Sequence, residues 1–345
     1  MEQTPPPRPG RHARRSPLRR WWPALLPLLL VVLVAAVWTL TRPGPSPDRL
    51  ADAAGPPAQS TGAAATRSPS PLPSPPVAAS PSRSPRPSPS GSAAGGGAGR
   101  RSAKKGVSVW EFAGLGAALK DVGASWYYNW ASGPTGGAGG SAAFVPMIWG
   151  ANSVNDGELA RAKANGRELL GFNEPDFASQ SNMTVERALE LWPRLQATGL
   201  RLGSPAVAVG ADRPGGWLDR FLSGARDRGY RVDFIALHWY GSDFSPAAVD
   251  HLRDYVQAVW NRYHKPIWLT EYALIKWGPG GAVFPTDAQQ ASFATRSTAM
   301  LQSLSSVERY AWFALPTPKE GNQGTGLYRP GALATAAGRA YRAAG

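Results

Sequence analysis

The hydrophobic residues of positions 105–345 fall into short, continuous apolar runs that are bounded by glycine, proline and polar residues. Runs that are apolar throughout, without alternating polar positions, are typical of strands buried on both faces. We predict eight such strand cores, at residues 107–109, 125–128, 144–148, 169–172, 201–204, 234–238, 267–270 and 310–313.

Amphipathic stretches separate the later strands and predict helices. Their N-terminal signals are threonine or serine caps, and one helix has a proline in its first turn. The predicted helices span residues 185–198 after Thr184, 246–263 after Ser245, and 287–303 after Thr286. Eight β-then-α units in a segment of this length match the α/β fold known as the (β/α)8 or TIM barrel, which typically has about 250 residues.

A doubly wound sheet is the alternative fold, and it usually carries a glycine-rich phosphate loop. Gly114 and Gly116 form the nearest match, but Leu119 occupies the position of the third glycine. The sequence also contains no Walker-type glycine–lysine loop. We therefore favour the barrel.

The first 104 residues have a different character. Residues 21–40 carry no charge, and twenty residues of helix cover the roughly 30 Å hydrocarbon layer of a membrane. The arginines of residues 1–20 predict a basic cytoplasmic segment, with the rest of the chain exported. We favour an uncleaved signal-anchor helix over a cleaved signal peptide, because Trp38 and Leu40 continue the apolar run past the possible cleavage site at Val34-Ala35-Ala36.

Residues 41–104 are rich in proline, serine, alanine and glycine, which predicts a disordered linker because little of the segment can be buried. The predicted organisation is thus a single-pass membrane anchor, a linker, and an extracytoplasmic domain at residues 105–345. Secretion after signal cleavage is the alternative.

The formal charge of +14 is unevenly distributed along the 345 residues. Residues 1–104 account for +11 and residues 105–345 for only +3. A nearly balanced folded domain argues against nucleic acid as a partner. The chain contains no cysteine, which excludes disulfides, thiolate zinc sites and cysteine nucleophiles.

Two glutamates stand at predicted strand ends, where barrel enzymes place their functional residues. Glu174 follows the fourth strand and Glu271 the seventh. Such a pair suits glycosidic hydrolysis, in which one carboxyl group protonates the leaving oxygen and the other attacks the sugar or activates water. No metal-ligand spacing occurs among the four histidines, so we expect neither metal nor cofactor.

Other residues at these ends suit contact with sugar, since indole rings stack on the C–H faces of pyranoses. The candidate substrate-binding residues are Asn129, Trp130, Trp149, Asn173, His238, Tyr240, Trp277 and Trp312. Tryptophans within the predicted strands and helices are interpreted as core residues; these are Trp110, Trp126, Trp192, Trp217, Trp260 and Trp268.

Several short sequence segments within residues 105–345 resemble those of glycoside hydrolase family 128, the alkali-sensitive-linkage-protein-like domain with β-1,3-glucanase activity. They comprise residues 170–176 (LGFNEPD), 200–206, 232–240, 265–272 (KPIWLTEY) and 310–316. This family belongs to the large clan of retaining (β/α)8 glycoside hydrolases. The resemblance extends over the predicted domain and does not include the N-terminal region.

The resemblance implies a role for each matching residue. Glu174 would be the general acid/base and Glu271 the nucleophile, with their carboxyl groups about 5–5.5 Å apart. Asn173 would hydrogen-bond the sugar 2-hydroxyl, while His238 and Tyr240 would line the catalytic centre, Tyr240 as a candidate to bond the nucleophile.

The expected function is therefore retaining hydrolysis of β-1,3-glucan by a catalytic domain that is monomeric, with β-glucan polysaccharide or oligosaccharide as its partner. The alternatives are another retaining β-glycanase, acting on mannan or xylan, and a non-catalytic glucan-binding surface module.

Overall fold

The structure is a computed structural model that describes residues 102–278, 281–317 and 324–345. The predicted basic segment, the predicted anchor helix and all but the last three residues of the predicted linker lie outside these ranges. Within them, no helix combines the length and the apolar character needed to cross a membrane.

The strands of the described residues are short, as the length of the apolar runs predicts. In chain order they are β1 (Lys105–Ser108), β2 (Trp126–Tyr128), β3 (Ala143–Phe144), β4 (Glu168–Leu169), β5 (Arg201–Leu202), β6 (Ile235–Gly241), β7 (Ile267–Leu274), β8 (Lys276–Gly278), β9 (Gly281–Val283), β10 (Val307–Trp312), β11 (Tyr328–Arg329) and β12 (Leu333–Ala334). Strand β3 is shorter than predicted because Pro146 lies in the run and has no N–H for a ladder.

A parallel sheet with the order β3-β2-β1-β10-β7-β6 forms most of the centre, and β4 pairs with β5 in parallel. Isolated parallel bridges connect the two groups, one between Met147 and Leu170 and one between Gly203 and Phe234. The ladders and bridges thus follow the chain from β3 through β4 and β5 to β6. This α/β arrangement of parallel strands is consistent with the predicted barrel. The pairs β8–β9 and β11–β12 are antiparallel.

Helices lie between the strands, and two of the predicted caps are present. In chain order the helices are α1 (Leu115–Asp121), α2 (Asp156–Asn165), α3 (Val185–Gln196), α4 (Trp217–Asp227), α5 (Ala248–Tyr263), α6 (Asp287–Ser303) and α7 (Ala336–Ala343). Thr184 caps α3, and Thr286 forms a reciprocal capping box with Gln289 at the start of α6.

The predicted cap of α5 is wrong. Helix α5 begins at Ala248, two residues later than predicted, and no side chain caps it. The hydroxyl of Ser245 instead donates to Asp243 Oδ2 and accepts from the N–H of Ala247. The serine therefore stabilises the turn before the helix.

Side chains alternate between the inside of the ring of strands and the layer beneath the helices. Trp126 and Tyr128 belong to an inner cluster with Ala311, whereas Tyr127 and Trp312 belong to the larger core shared with the helices. Inside, the ring of Trp268 stacks on Phe234 with centroids 4.1 Å apart. The centre is therefore filled with side chains, as in a packed barrel core.

Ion pairs occupy the N-terminal ends of the strands. The guanidinium of Arg201 donates to both carboxylate oxygens of Glu308, at 2.7 and 2.6 Å. That of Arg309 donates to Glu168 at 3.1 Å and lies 4.1 Å from the ring centroid of Trp268. Charged pairs and an indole thus fill this end of the ring of strands, and Glu174 and Glu271 lie at the opposite, C-terminal ends.

Candidate active site

The two predicted catalytic glutamates meet at the C-terminal ends of the strands. Glu174 follows β4 and Glu271 lies within β7, and their relative exposures are only 9% and 4%. One carboxyl oxygen of each glutamate and one ring nitrogen of His238 all lie within 4.8 Å of one another. The spacing brings both carboxyl groups within reach of one glycosidic bond.

Three donors surround the carboxylate of Glu271. The hydroxyl of Tyr128 and the indole N–H of Trp130 donate to Oε1 at 2.9 and 2.8 Å, and the hydroxyl of Tyr240 donates to Oε2 at 2.5 Å. Hydrogen bonds of this kind favour the charged form of a carboxyl group. Burial and the charge of Glu271 raise the pKa of Tyr128 and Tyr240 well above the usual value. Both phenols therefore remain protonated donors.

The environment of Glu174 favours the opposite protonation state. Its backbone N–H donates to the carbonyl of Ala206 at 2.7 Å, and its Oε1 lies 3.0 Å from Nδ1 of His238. Burial raises the pKa of Glu174 and the negative charge of Glu271 raises it further, although the hydrogen bond to His238 opposes both effects. A carboxyl group in this position is suited to act as a proton donor.

His238 lies between the two glutamates and is buried. Its Nδ1 faces Glu174 at 3.0 Å and its Nε2 faces Glu271 at 3.4 Å. Burial lowers the pKa of His238, but the charge of Glu271 and the hydrogen bond to Glu174 outweigh burial, so the net direction is upward. Because the ring is inaccessible, its polar contacts are with the two glutamates.

A continuous group of aromatic rings covers the Glu271 side of the site. The ring of Phe313 lies 6.5, 5.9 and 5.5 Å from those of Trp110, Trp130 and Tyr240, measured between centroids. Trp277, on the β8–β9 hairpin, meets Tyr240 edge-on at 6.4 Å. Trp149 is half-buried beside the inner cluster. This arrangement offers apolar faces next to the carboxylate.

Two site residues have left-handed backbone conformations. Glu174 has φ 41° and Trp130 has φ 58°. Residues other than glycine adopt this region only at a cost, and such residues are concentrated at functional sites. Here the unusual backbone accompanies the general-acid candidate and one of the donors to the other glutamate.

The chain matches the family described as glycosyl hydrolase catalytic core over residues 110–341. It belongs to that family. The match spans most of the described residues and includes both glutamates, the three donors to Glu271, and His238.

A curated relative supports the same assignment. Alkali-sensitive linkage protein 1 from Schizosaccharomyces pombe is 35% identical over 224 residues, which are 63% of this chain and 38% of that protein. The chain therefore spans less than half the length of this relative. The match agrees with the sequence segments on which the predicted resemblance rests.

Solved structures of GH128 enzymes are also similar. A subgroup I endo-β-1,3-glucanase from Amycolatopsis mediterranei, crystallised with laminarihexaose, is 60% identical with a TM-score of 0.68, covering 71% of this chain and all of that one. A subgroup II endo-β-1,3-glucanase from Sorangium cellulosum is 29% identical with a TM-score of 0.59, covering 70% of this chain and 98% of that one. The predicted resemblance to glycoside hydrolase family 128 is confirmed.

Two residues that were predicted to contact sugar, Asn173 and Asn129, have hydrogen-bond partners within this glycosyl hydrolase core. Asn173 is buried, and its amide donates to Gln180 Oε1 at 3.1 Å, while its Oδ1 has no hydrogen-bond partner among the described residues. Asn129 donates to the carbonyl of Gly133 and accepts from the N–H of Ala131, so its side chain shapes the loop after β2.

The predicted sugar contact of Trp312 is wrong. Its ring is completely buried in the outer core against Tyr272, Phe293 and Tyr341, and its indole N–H donates to the carbonyl of Thr325 at 2.7 Å. The side chain of Ala311 points inward and that of Trp312 outward, toward the helices. The aromatic residue that faces the site at this strand end is Phe313.

Sequence reasoning missed three members of the site: Tyr128, Trp110 and Phe313. A signal for Tyr128 was available, because it is the last residue of the predicted strand 125–128, and barrel enzymes place functional residues at such ends. Trp110 and Phe313 lie just beyond β1 and β10, where the two-residue periodicity of a strand no longer indicates the direction of a side chain.

Glu174, His238 and Glu271 also offer the ligand types of a metal site within the described residues. Their surroundings do not suit a cation, because two N–H or O–H groups point at Oε1 of Glu271 and a third points at Oε2. A positive ion would have to displace these donors. The donor set fits an anionic carboxylate that remains free of metal.

Proposed function

We propose that this chain hydrolyses β-1,3-glucan with retention of configuration, with Glu174 as acid/base and Glu271 as nucleophile. The contrast between the two carboxyl groups carries the proposal: three donors favour a charged Glu271, while burial beside that charge favours a protonated Glu174. One carboxyl oxygen of Glu174 and one of Glu271 lie within 4.8 Å of each other. Retaining enzymes place their carboxyl groups about 5–5.5 Å apart, and inverting enzymes need about 6.5–9.5 Å to admit a water.

The first half of the reaction follows from these states. Glu271 attacks the anomeric carbon as the bond to the leaving oxygen breaks, and Glu174 gives its proton to that oxygen. The products are a glycosyl ester of Glu271 and a free sugar hydroxyl. Glu174 has then become a carboxylate, at the moment when esterification removes the neighbouring charge of Glu271.

The second half reverses these roles. Glu174 takes a proton from water, the water oxygen attacks the anomeric carbon, and the ester bond to Glu271 breaks. The returning negative charge on Glu271 is received by the donors Tyr128, Trp130 and Tyr240, which are already in place. Both residues end in their starting protonation states, and the product keeps its original anomeric configuration.

The relatives support β-1,3-glucan as the substrate. The Amycolatopsis mediterranei endo-β-1,3-glucanase has been crystallised with laminari-oligosaccharides as variants of either of two glutamates. Those two glutamates are 97 positions apart, the same separation as Glu174 and Glu271 here. An uncharged glucan also suits a folded domain with little net charge and a site lined by aromatic rings. We further propose the complete (β/α)8 barrel for the fold, supported by the order of ladders and bridges.

The substrate class and the roles of the two glutamates are tested by separate experiments. Laminarin and curdlan, with xylan and mannan beside them, are incubated with the wild-type protein, and the products are sized. We expect oligosaccharides from the β-1,3-glucans alone. Cleavage of xylan or mannan instead would favour the other β-glycanases, and binding of laminarin without cleavage would favour the non-catalytic module.

Two variants test the assignment of the glutamates. Glu271→Gln should abolish turnover, whereas Glu190→Gln, an exposed glutamate on α3, should retain it. On a β-glucoside with an activated aryl leaving group, azide should restore activity to Glu174→Ala with a β-glycosyl azide as product, whereas any azide-dependent turnover by Glu271→Ala should give the α-glycosyl azide, because azide then displaces the aryl group directly. The reverse pattern would exchange the roles. NMR of the first product should show the β anomer, and an initial α anomer would refute retention.

We also propose that residues 21–40 hold this domain at the outer face of a membrane. The support is the uncharged run of twenty residues with arginines before it. The full chain should enter the membrane fraction, and protease added outside intact cells should release the catalytic domain. Recovery of a shortened chain in the culture medium without protease would indicate signal cleavage instead.

A further inference from the structure

Phe313 lies directly after β10, the strand between β1 and β7. Its backbone N–H donates to the carbonyl of Tyr272 at 3.2 Å, and Tyr272 is the residue after Glu271. The side chain is half-buried and contains no polar atom. Any effect of this ring on the charge of Glu271 must therefore pass through its neighbours.

Those neighbours are two of the three donors to Glu271. The phenyl ring meets Trp130 edge-on at 5.9 Å and 73°, and it meets Tyr240 edge-on at 5.5 Å and 88°. Trp130 donates to Oε1 of the carboxylate and Tyr240 donates to Oε2. One apolar ring thus separates two groups that hold opposite oxygens of the same carboxylate.

The position of Trp130 depends especially on packing. The residue has a left-handed backbone, and its indole reaches from β2 to Glu271 on β7, past the ends of β1 and β10. Trp110 stacks on one side at 6.5 Å, and Phe313 supports the ring from another direction. Without the phenyl ring, the indole would lose one of the aromatic contacts that fix it.

We propose that Phe313 is a positioning residue that sets the orientation of the Glu271 carboxylate by holding Trp130 and Tyr240 in place. The proposal rests on the proposed function, in which Glu271 is the nucleophile. An attacking oxygen must approach the anomeric carbon within a narrow range of direction, and a displacement of 1 Å can cost about 10²-fold in rate.

The kinetic test compares Phe313→Ala with Phe313→Tyr, which retains the ring. We expect Phe313→Ala to lower kcat by about 10²-fold with KM changed by less than about threefold, because the loss concerns the reacting geometry. Phe313→Tyr should remain within about threefold of wild type. If Phe313→Ala does not fold, Phe313→Leu takes its place, because leucine keeps much of the side-chain volume and still removes the aromatic ring. Phe144→Ala, a half-buried phenyl that packs on Tyr127, is the control for loss of an aromatic ring.

The split between kcat and KM separates positioning from contact with sugar. If Phe313 holds the donors to Glu271, its removal should lower kcat and leave KM almost unchanged, because the loss concerns the reacting geometry and leaves the binding of the glucan intact. A raised KM with an unchanged kcat would overturn the proposal and indicate direct sugar contact.

A double-mutant cycle tests the route through Trp130. Trp130→Phe keeps a ring and removes the indole N–H. If Phe313 acts by aiming that N–H, Phe313→Ala should cost clearly less in the Trp130→Phe background than in the wild type. Equal costs in both backgrounds would refute the proposed route.

A measurement without substrate keeps this test independent of the proposed function. In protein carrying ¹³C-labelled glutamate carboxyl groups, the Glu271 signal is identified by its loss in Glu271→Gln. At one fixed pH its chemical shift should differ between Phe313→Ala and wild type, because the hydrogen bonds from Trp130 and Tyr240 have changed, and an unchanged chemical shift would refute the proposal. Failure of the wild-type protein to cleave laminarin would refute the proposed function and leave this measurement valid.

Discussion

Lys105 links the first strand of the described domain to its last helix. Its ammonium donates to the carbonyls of Tyr341 and Ala344 at 2.5 and 2.6 Å, with Arg342 at 3.4 Å, at the C-terminal end of α7. It also lies 4.8 Å from the ring centroid of Tyr341. The lysine is only 1% exposed, and burial lowers the pKa of Lys105 to about 8. This combination predicts an unusual dependence of stability on pH.

The sign follows from proton binding in the two states. Between pH 8 and the unfolded value of 10.5, the unfolded chain keeps a proton that the folded chain has released. The free energy of unfolding therefore rises with pH across this window, and the gain is lost again as pH falls through 8. A pKa shift of this size increases the free energy of unfolding by about 2 kcal/mol between pH 7 and about pH 9.5.

The buried tyrosines act in the opposite direction. Burial raises the pKa of residues such as Tyr272 and Tyr310, so above about pH 10 the folded state holds more protons than the unfolded state and stability falls. These tyrosines are present in wild type and in Lys105→Met alike. Subtracting the unfolding free energy of Lys105→Met from that of wild type therefore cancels the contribution of the tyrosines and leaves that of the lysine.

The assay is urea unfolding followed by circular dichroism, at several pH values from 7 to 9.5. The unfolding free energy of wild type minus that of Lys105→Met should increase by about 2 kcal/mol over this range. Lys163→Met, which removes an exposed lysine on α2, should keep the wild-type pH dependence. If the difference between wild type and Lys105→Met is flat, the ammonium is not buried as described, and the reasoning fails.

Three further predictions concern the site and its surroundings. Tyr240→Phe removes a hydrogen bond to a charged carboxylate, worth about 1.5–3 kcal/mol, so kcat/KM on laminarin should fall about 10–100-fold; an unchanged value would contradict the 2.5 Å contact with Glu271. Asp176→Ala removes the acceptor for the backbone N–H groups of Ala208 and Val209, so hydrogen exchange at these amides should accelerate, which unchanged protection would contradict. Trp312→Ala should destabilise the domain by about 3–5 kcal/mol in urea without raising KM; a raised KM at unchanged stability would show contact with sugar.

The proximity of Glu174 and Glu271 could be predicted from sequence because the prediction depends on few assumptions. Apolar runs locate buried parallel strands, and the rule that functional residues follow such strands selects Glu174 and Glu271. Tyr240 lies at the end of the strand that neighbours β7, and it contacts Glu271 as expected. Each step uses the local sequence pattern and the order of the strands, and small errors in the predicted strand boundaries do not change either of them.

The direction of individual side chains is more sensitive to such errors. The pairing of β10 with β7 shifts register between Tyr310 and Trp312, and the pairing of β6 with β7 shifts between Leu237 and His238. One shifted residue reverses the face on which a side chain lies. Trp312 was expected at the cleft because it stands at the end of the last predicted strand. Side chains in fact alternate along β10, with Tyr310 and Trp312 in the outer core and Ala311 inside, so the indole points away from the cleft. No local signal in the sequence marks these shifts.

The difference between the two glutamates also originates in the sheet order. Glu271 lies on β7, whose neighbour β6 supplies Tyr240, and Trp130 reaches the same carboxylate from β2 on the other side of the ring. Glu174 follows β4, and the neighbouring β5 segment offers only the carbonyl of Ala206, which accepts the backbone N–H and leaves the carboxyl group untouched. Its side chain meets His238 alone among these groups. Two identical side chains in one cleft thus have different hydrogen-bonding surroundings, because the hydroxyl and indole donors come from the β2 and β6 segments and all three point at Glu271.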